Sequence, residues 1–253
     1  MSDPDLQFPR RVMILAAGEG TRLRPLTLET PKALLPLGGV PLIDHMLIWF
    51  RNHGISEVAI NLHYLGNKVR DHLGDGNHLG MTVHYSEEEE LLGTAGGVKR
   101  MERFFDGTFV VLYGDTLTDF DLSAMIEFHR EKKSVATLAI FESPNPAEVG
   151  VVEMDHEGRI WSLVEKPLSP ISDRQPPVLA NGGVYLLEKE VLEYVPGSGF
   201  CDFARDTFPR LIEAGLPIYG FQLKSQDYFI DIGSPAKYQQ ADRDVQSSRG
   251  RIR

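Results

Sequence analysis

Cysteine is nearly absent: Cys201 is the only one among 253 residues. An intrachain disulfide is therefore excluded, and the composition suits a reducing cytoplasm. No signature of a nucleophilic thiol surrounds Cys201, so a small packing residue is expected there. A positive balance is absent too, since 26 Lys and Arg face 36 Asp and Glu for a formal net charge of −10. No Lys/Arg cluster forms a basic face. A nucleic-acid partner is disfavoured, because such binding draws largely on neutralising phosphates. Long apolar runs are missing: none approaches the roughly 18 residues a membrane span needs. Residues 1–11 are polar, contain two prolines and lack the apolar core of a signal peptide. The eight histidines show neither H-x-x-x-H nor paired spacing, which argues against a histidine metal site. The expectation is a soluble, cytoplasmic protein without nucleic-acid or membrane partners. A homo-oligomer is compatible with the sequence, which defines no oligomeric state.

What is present is a sizeable apolar fraction, 42%, with 25% charged residues. That is ordinary for a globular protein with a real core. Residues 12–16 form a continuously apolar run of the kind a buried parallel strand needs. Strand and helix patterns then alternate: helices at 41–53, 64–73, 94–105 and 122–133, strands at 57–62, 81–86 and 108–113. Such alternation means βαβ units and a parallel sheet. From Ser134 the pattern changes to strands at 135–142, 149–154, 160–165 and 178–187, with a turn at 155–158 that predicts an antiparallel hairpin. Helices return at 203–214 and 235–246, with strands 218–223 and 228–232 between them. The reading is one mixed α/β domain over 12–240, doubly wound and Rossmann-like in its first half, with an added antiparallel meander. Residues 1–11 and 247–253 are expected to be flexible termini.

After the first strand comes Leu15-Ala16-Ala17-Gly18-Glu19-Gly20-Thr21-Arg22-Leu23-Arg24-Pro25-Leu26-Thr27, then Thr30-Pro31-Lys32. Small residues there let backbone N–H groups approach an anion and permit positive φ. Arg22 can hold phosphate as a fork and Lys32 as a point charge. A dinucleotide fingerprint fits poorly, because Leu23 stands where its third glycine belongs and Pro25 interrupts the helix it requires. A P-loop fails because its lysine is missing. A glycine loop that merely turns the chain leaves the concentration of Arg and Lys unexplained.

The run Gly18–Pro36 resembles the signature of sugar-1-phosphate nucleotidylyltransferases, G-x-G-T-R-L-x-P-L-T-x-x-x-P-K-x-x-x-P, at every fixed position. The resemblance implies a nucleotide-diphospho-sugar transferase fold and a loop that wraps a nucleoside triphosphate, with Leu15, Ala16, Ala17, Gly18, Gly20, Thr21, Arg22 and Lys32 at the nucleotide. It further implies that the acidic run Glu87–Glu90, Glu87 above all, and the stretch Leu92-Gly93-Thr94-Ala95-Gly96-Gly97 hold the nucleobase. Taken by itself that stretch is a helix start with Thr94 as N-cap, and the two readings are compatible. Asp115, at the end of an apolar strand, and Asp231, in Phe229-Ile230-Asp231-Ile232-Gly233, match the two family aspartates that share Mg²⁺; Asp115 also contacts the nucleotide and sugar phosphate. Glu165-Lys166-Pro167 and Asn181-Gly182-Gly183 match the sugar 1-phosphate segments.

The implied partners are an NTP and a sugar 1-phosphate, the implied cofactor is Mg²⁺, and Arg22, Lys32 and Lys166 are the expected catalytic cations. The stretch around Gly93 looks most like guanylyltransferases that use mannose or manno-heptose 1-phosphate; uridylyl and thymidylyl relatives have similar loops. A cytidylyltransferase acting on a non-sugar phosphate, a non-catalytic sugar-nucleotide sensor and a dinucleotide-dependent oxidoreductase are the rivals. The resemblance covers nearly the whole chain, so a C-terminal β-helix with a second acyltransferase or regulatory role is expected to be absent.

Overall fold

The computed structural model describes residues 9–167 and 177–247. The expected flexible termini therefore fall outside the described residues, apart from 9–11 and 247. In chain order the strands are β1 (Arg11–Leu15), β2 (Pro36–Leu37), β3 (Val40–Pro41), β4 (Glu57–Leu62), β5 (Thr82–Glu87), β6 (Phe109–Tyr113), β7 (Thr116–Thr118), β8 (Ala136–Ser143), β9 (Gly150–Met154), β10 (Ile160–Glu165), β11 (Val178–Leu187), β12 (Ile218–Gln222) and β13 (Phe229–Asp231). The α-helices are α1 (Leu42–Asn52), α2 (Gly66–Leu73), α3 (Gly93–Arg100), α4 (Leu122–Lys132), α5 (Phe208–Glu213) and α6 (Pro235–Gln246). The mixed α/β class expected from the pattern is the one observed.

Two compact units divide the chain: residues 1–91, 112–121 and 225–253 form the first, residues 92–111 and 122–224 the second. In the first unit β1, β4 and β5 run parallel with β4 in the middle, Leu15 opposite Asn61 and Asn61 opposite Ser86. Val12, Met13 and Ile14 and their neighbours Val58, Ala59 and Ile60 are fully buried, which is why both strands read as continuous apolar runs. Helix α1 buries Leu42, Ile43, Met46, Leu47 and Phe50 on one face. Each such side chain contributes about 1.5–3 kcal/mol relative to exposure. Trp49, also buried, donates its indole N–H to the Phe120 carbonyl at 3.1 Å. Strands β7 and β13 pair antiparallel with Thr116 opposite Asp231. Ser234 then caps α6, with Pro235 in its first turn, where a missing N–H costs nothing.

In the second unit β8 pairs antiparallel with β11 and parallel with β12. Strands β9 and β10 form the expected hairpin across Asp155–Gly158. Tyr185, Phe203 and Phe208 pack edge-on and stacked in its core. Three expectations need correction. The helix foreseen over 94–105 stops at Arg100 and resumes as a 3-10 turn at Glu102–Phe104. The one foreseen over 203–214 opens as a π-turn, Phe203–Thr207, before α5. The short pairs β2–β3 and β7–β13 leave too few residues for a period-2 pattern, and β2, β3 and β7 went unforeseen.

Candidate active site

The first unit gathers the loop and both aspartates. Where β1 ends, the Ala16 N–H donates to Asn61 Oδ1 at 2.8 Å, and Asn61 Nδ2 donates to the Glu88 carboxylate at 2.8 Å. Beyond Ala16 and Ala17 the chain coils through three 3-10 turns, Thr21–Leu23, Leu26–Leu28 and Lys32–Leu34. Gly20 sits at φ +62°, and a Cβ there would lie 3.0 Å from Thr27 Cγ2 and 3.3 Å from Lys32 Cβ. The left-handed backbone favours glycine at that point, and the tight side-chain contacts add to the preference. Gly18 has open space where its Cβ would be, so the packing of the protein places no demand on it.

Asp115 occupies the corner between β6 and β7. Its Oδ2 accepts from Lys32 Nζ at 2.5 Å, and both side chains are largely buried. Its carbonyl accepts from the Ile232 N–H at 2.8 Å, which with the Thr116–Asp231 register sets the two aspartates on adjacent strands. Asp231 accepts from Lys237 Nζ through Oδ2 and from the Gly233 N–H through Oδ1 at 3.0 Å. A Cβ on Gly233 would meet Asp231 Oδ1 at 2.6 Å and Arg22 Nη2 at 2.9 Å, so the Arg22 guanidinium lies over this glycine beside the carboxylate. Arg22 and Thr21 are exposed.

Three cations, Lys32, Lys237 and Arg22, thus surround two carboxylates, an excess that suits a polyphosphate. No group of three or more His, Cys, Asp or Glu is placed to hold a metal ion among the described residues. Two carboxylates on adjacent strands suit Mg²⁺, which takes its remaining ligands from phosphate oxygens and water. Sequence reasoning missed Asn61 and Lys237. Asn61 left one signal, a lone polar residue within an apolar strand. Of the acidic run, Glu88 is the buried member; Glu87 is exposed and pairs with Arg70 at 2.5 Å.

The second unit holds two further groups. Helix α3 begins at Gly93 after Leu92, and Thr94 is not its N-cap, contrary to expectation. The Thr94 hydroxyl instead donates to Asp202 Oδ2 and accepts from the Phe203 N–H, both at 2.8 Å. A Cβ on Gly93, at φ +76°, would fall 2.4 Å from the Cys201 carbonyl oxygen, and one on Gly96 would fall 3.2 Å from that of Gly199. These glycines therefore admit the backbone of 199–201 at close range. The Ala95 and Gly96 N–H groups both donate to the Cys201 carbonyl, at 3.0 and 3.1 Å.

Elsewhere in this unit Glu165 and Asn181 meet over Gly150, whose Cβ would lie 2.7 Å from Glu165 Oε2 and 3.4 Å from Asn181 Cβ. Asn181 Nδ2 donates to the Tyr185 hydroxyl at 2.8 Å, and its Oδ1 accepts from the Gly183 N–H at 3.1 Å. Gly182 is buried within the β11 irregularity that follows Asn181. Lys166 sits at φ +46°, a region most side chains avoid, with its N–H on the Val149 carbonyl at 3.0 Å. Its Nζ lies 3.5 Å from Glu165 Oε1, and its side chain is 48% exposed. Of the described residues, no helix is long and apolar enough to cross a membrane.

Comparison with known proteins adds an independent line. A uridylyltransferase from Synechocystis, UTP--glucose-1-phosphate uridylyltransferase, is 36% identical over 251 residues, covering 94% of this chain and 63% of that protein. A mannose-1-phosphate guanylyltransferase from Mycobacterium tuberculosis is 33% identical over 235 residues, covering 92% and 64%. The chain thus spans somewhat less than two thirds of the length of these curated relatives. Crystal structures of HddC from Yersinia pseudotuberculosis, one of them complexed with GMP-PN, superpose with TM-scores of 0.79 and 0.78 at 28% identity, covering 93% of this chain and 99% of HddC. The nucleotidyl transferase family model matches residues 11–248. With both glycine loop and paired aspartates inside that span, the chain belongs to the nucleotidyl transferase family.

Proposed function

We propose that this chain transfers a nucleoside monophosphate from an NTP to a sugar 1-phosphate and releases pyrophosphate. The observation that carries the reading is the pairing of Asp115 with Lys32 beside Asp231, Lys237 and Arg22, next to a loop with the full family signature. In this reading Arg22 and Lys32 bind the triphosphate, and Glu165, Lys166 and Asn181 bind the sugar phosphate. Lys166 orients that phosphate so that one of its oxygens attacks the α-phosphorus in line. A phosphorus–oxygen bond forms as the bond from the α-phosphorus to the bridging oxygen breaks, and the electron pair leaves with pyrophosphate. The attacking oxygen already carries charge, so no general base is assigned. Arg22 and Lys32 neutralise charge on the α-phosphate and the leaving group, the usual source of catalysis in such transfers. Asp115 and Asp231 would hold Mg²⁺, which supplies charge neutralisation across the phosphates.

For the substrates we favour GTP with mannose or manno-heptose 1-phosphate. Support comes from the several mannose-1-phosphate guanylyltransferases among the relatives, plant and bacterial, and from the GMP-PN named with HddC. A second reading, UTP with glucose 1-phosphate, is favoured by the 36% identical Synechocystis uridylyltransferase. A matrix of NTPs against sugar 1-phosphates, read by pyrophosphate release and product mass, decides between them. Binding without pyrophosphate release for every pair refutes the enzymatic reading and favours a sensor.

A further inference from the structure

Segment 199–203 touches the start of α3 at more points than packing alone would require. Cys201 accepts from the Ala95 and Gly96 N–H groups through its carbonyl and donates its own N–H to the Leu92 carbonyl at 2.9 Å. Thr94 Oγ1 bridges the Asp202 carboxylate and the Phe203 N–H. Asp202 serves both sides: Oδ2 takes the threonine hydroxyl, while Oδ1 accepts from the Ala204 and Arg205 N–H groups at 3.0 and 3.2 Å. The Asp202 N–H is in turn donated to Asp206 Oδ2 at 2.7 Å. Gly93 and Gly96 are the residues that let the segment come this close, as their would-be Cβ contacts show.

A helix leaves its first four N–H groups without intrahelical partners. In α3, whose N-cap is Leu92, these belong to Leu92, Gly93, Thr94 and Ala95; the Cys201 carbonyl takes that of Ala95, together with that of Gly96, and those of Gly93 and Thr94 are the donors a ligand could take. The Thr94 hydroxyl is also committed inside the protein. What Thr94 gives a ligand is therefore backbone, and where that backbone points is fixed by Asp202.

We infer that Asp202 is a positioning residue for nucleotide binding, setting the Gly93-Thr94 backbone through the Thr94 hydroxyl while capping the turn that leads into α5. The inference rests on the reading in which Gly93–Gly96 lies at the nucleobase. It assigns Asp202, Cys201 and Phe203 to a strut that ligand contacts alone would not reveal.

The test compares wild type with Thr94→Ser, Thr94→Val and Asp202→Asn by thermal melting, by steady-state kinetics in both substrates, and by direct titration with GTP and UTP. Serine keeps the hydroxyl and is expected to stay within about threefold of wild type in every parameter. Valine keeps the shape and loses both hydrogen bonds; Asp202→Asn keeps an oxygen for the cap and loses the carboxylate acceptor. Both are expected to raise KM and Kd for the NTP about tenfold, with kcat and the sugar 1-phosphate KM changed little. A lower melting temperature with NTP affinity at the wild-type value would reduce the strut to a structural role and overturn the inference. Equal loss in Thr94→Ser and Thr94→Val would do the same, because the hydroxyl would not be the agent. Should Thr94→Val fail to fold, Asp202→Asn carries the test. Wild type that binds no NTP refutes the enzymatic reading along with the strut; wild type that turns over, with variants that match it, refutes the strut alone.

Discussion

Gly114→Ala isolates how closely the end of β6 must approach the glycine loop. The Gly114 backbone is not in the left-handed region, so alanine meets no torsional penalty there. All the cost is contact: a Cβ would lie 2.5 Å from the Leu15 carbonyl oxygen, 3.1 Å from the Leu15 carbonyl carbon and 3.2 Å from Ala16 Cα. These are backbone atoms, and no side-chain rotation relieves the overlap. Reaching ordinary contact requires the two backbones to part by roughly half to one ångström in a close-packed interior. The Gly114 N–H to Leu15 carbonyl bond, 2.9 Å, would be stretched or broken, at about 1 kcal/mol. Repacking strain adds about 1–3 kcal/mol, and the loss of glycine's freedom in the unfolded chain returns about 0.4–1 kcal/mol. The net is a destabilisation of about 1–3 kcal/mol, a fall in Tm of roughly 3–10 °C for a chain of this size. The displaced atoms flank Ala16 on one side and Asp115 on the other. A misplacement near one ångström typically costs about a hundredfold in rate, so kcat/KM should fall about that far while the fold persists. Calorimetry gives the first quantity and pyrophosphate release the second. Gly114→Ala with wild-type Tm and wild-type kcat/KM would refute the close-approach argument.

Asp115→Asn and Lys166→Ala are expected to remain folded by circular dichroism and to lose about 10²–10³ in kcat, the usual cost of one charge-stabilising group; near-normal turnover at saturating substrates would cancel that residue's role. Lys237→Gln removes the cation that competes for Asp231, so Mn²⁺, as a paramagnetic probe of the nucleotide-free protein, should bind a few-fold more tightly, the scale of a partly exposed ion pair. No change in Mn²⁺ binding would sever Lys237 from the metal question. At Glu188, burial pushes the carboxyl pKa up, but the hydrogen bonds from buried His129 and from Thr108 outweigh it and leave the value below the ordinary range. A depressed carboxylate pKa stabilises the fold above its unfolded value and ceases to do so as pH falls through the folded one. Tm should thus decline on acidification through and below the ordinary glutamate range, and more shallowly in Glu188→Gln; parallel curves for the two proteins would contradict this.

Much of the fold was legible because burial on both faces writes itself as local composition. Val12–Ile14 and Val58–Ile60 read as buried strands and are, and the turn at Asp155–Gly158 announced the β9–β10 hairpin. The glycine loop was equally readable, since its signature is contiguous and its glycine at Gly20 answers to a positive φ beside Thr27 and Lys32. Thr94 was misread for a physical reason: a threonine at a helix start is by local rules a cap, and only the return of the chain at Asp202, 108 residues on, offers a stronger partner.

The sequence by itself determined the buried strands, most of the helices, the need for glycine at Gly20, and the match to the family signature. Those properties depend on neighbours a few positions away, through periodicity and backbone sterics. Tertiary structure alone decided that Lys32 reaches Asp115 across 83 residues, that Asn61 holds Ala16, and that Lys237 and Arg22 attend Asp231. A polar side chain's partner is set by the register of distant strands, and no local pattern encodes that distance.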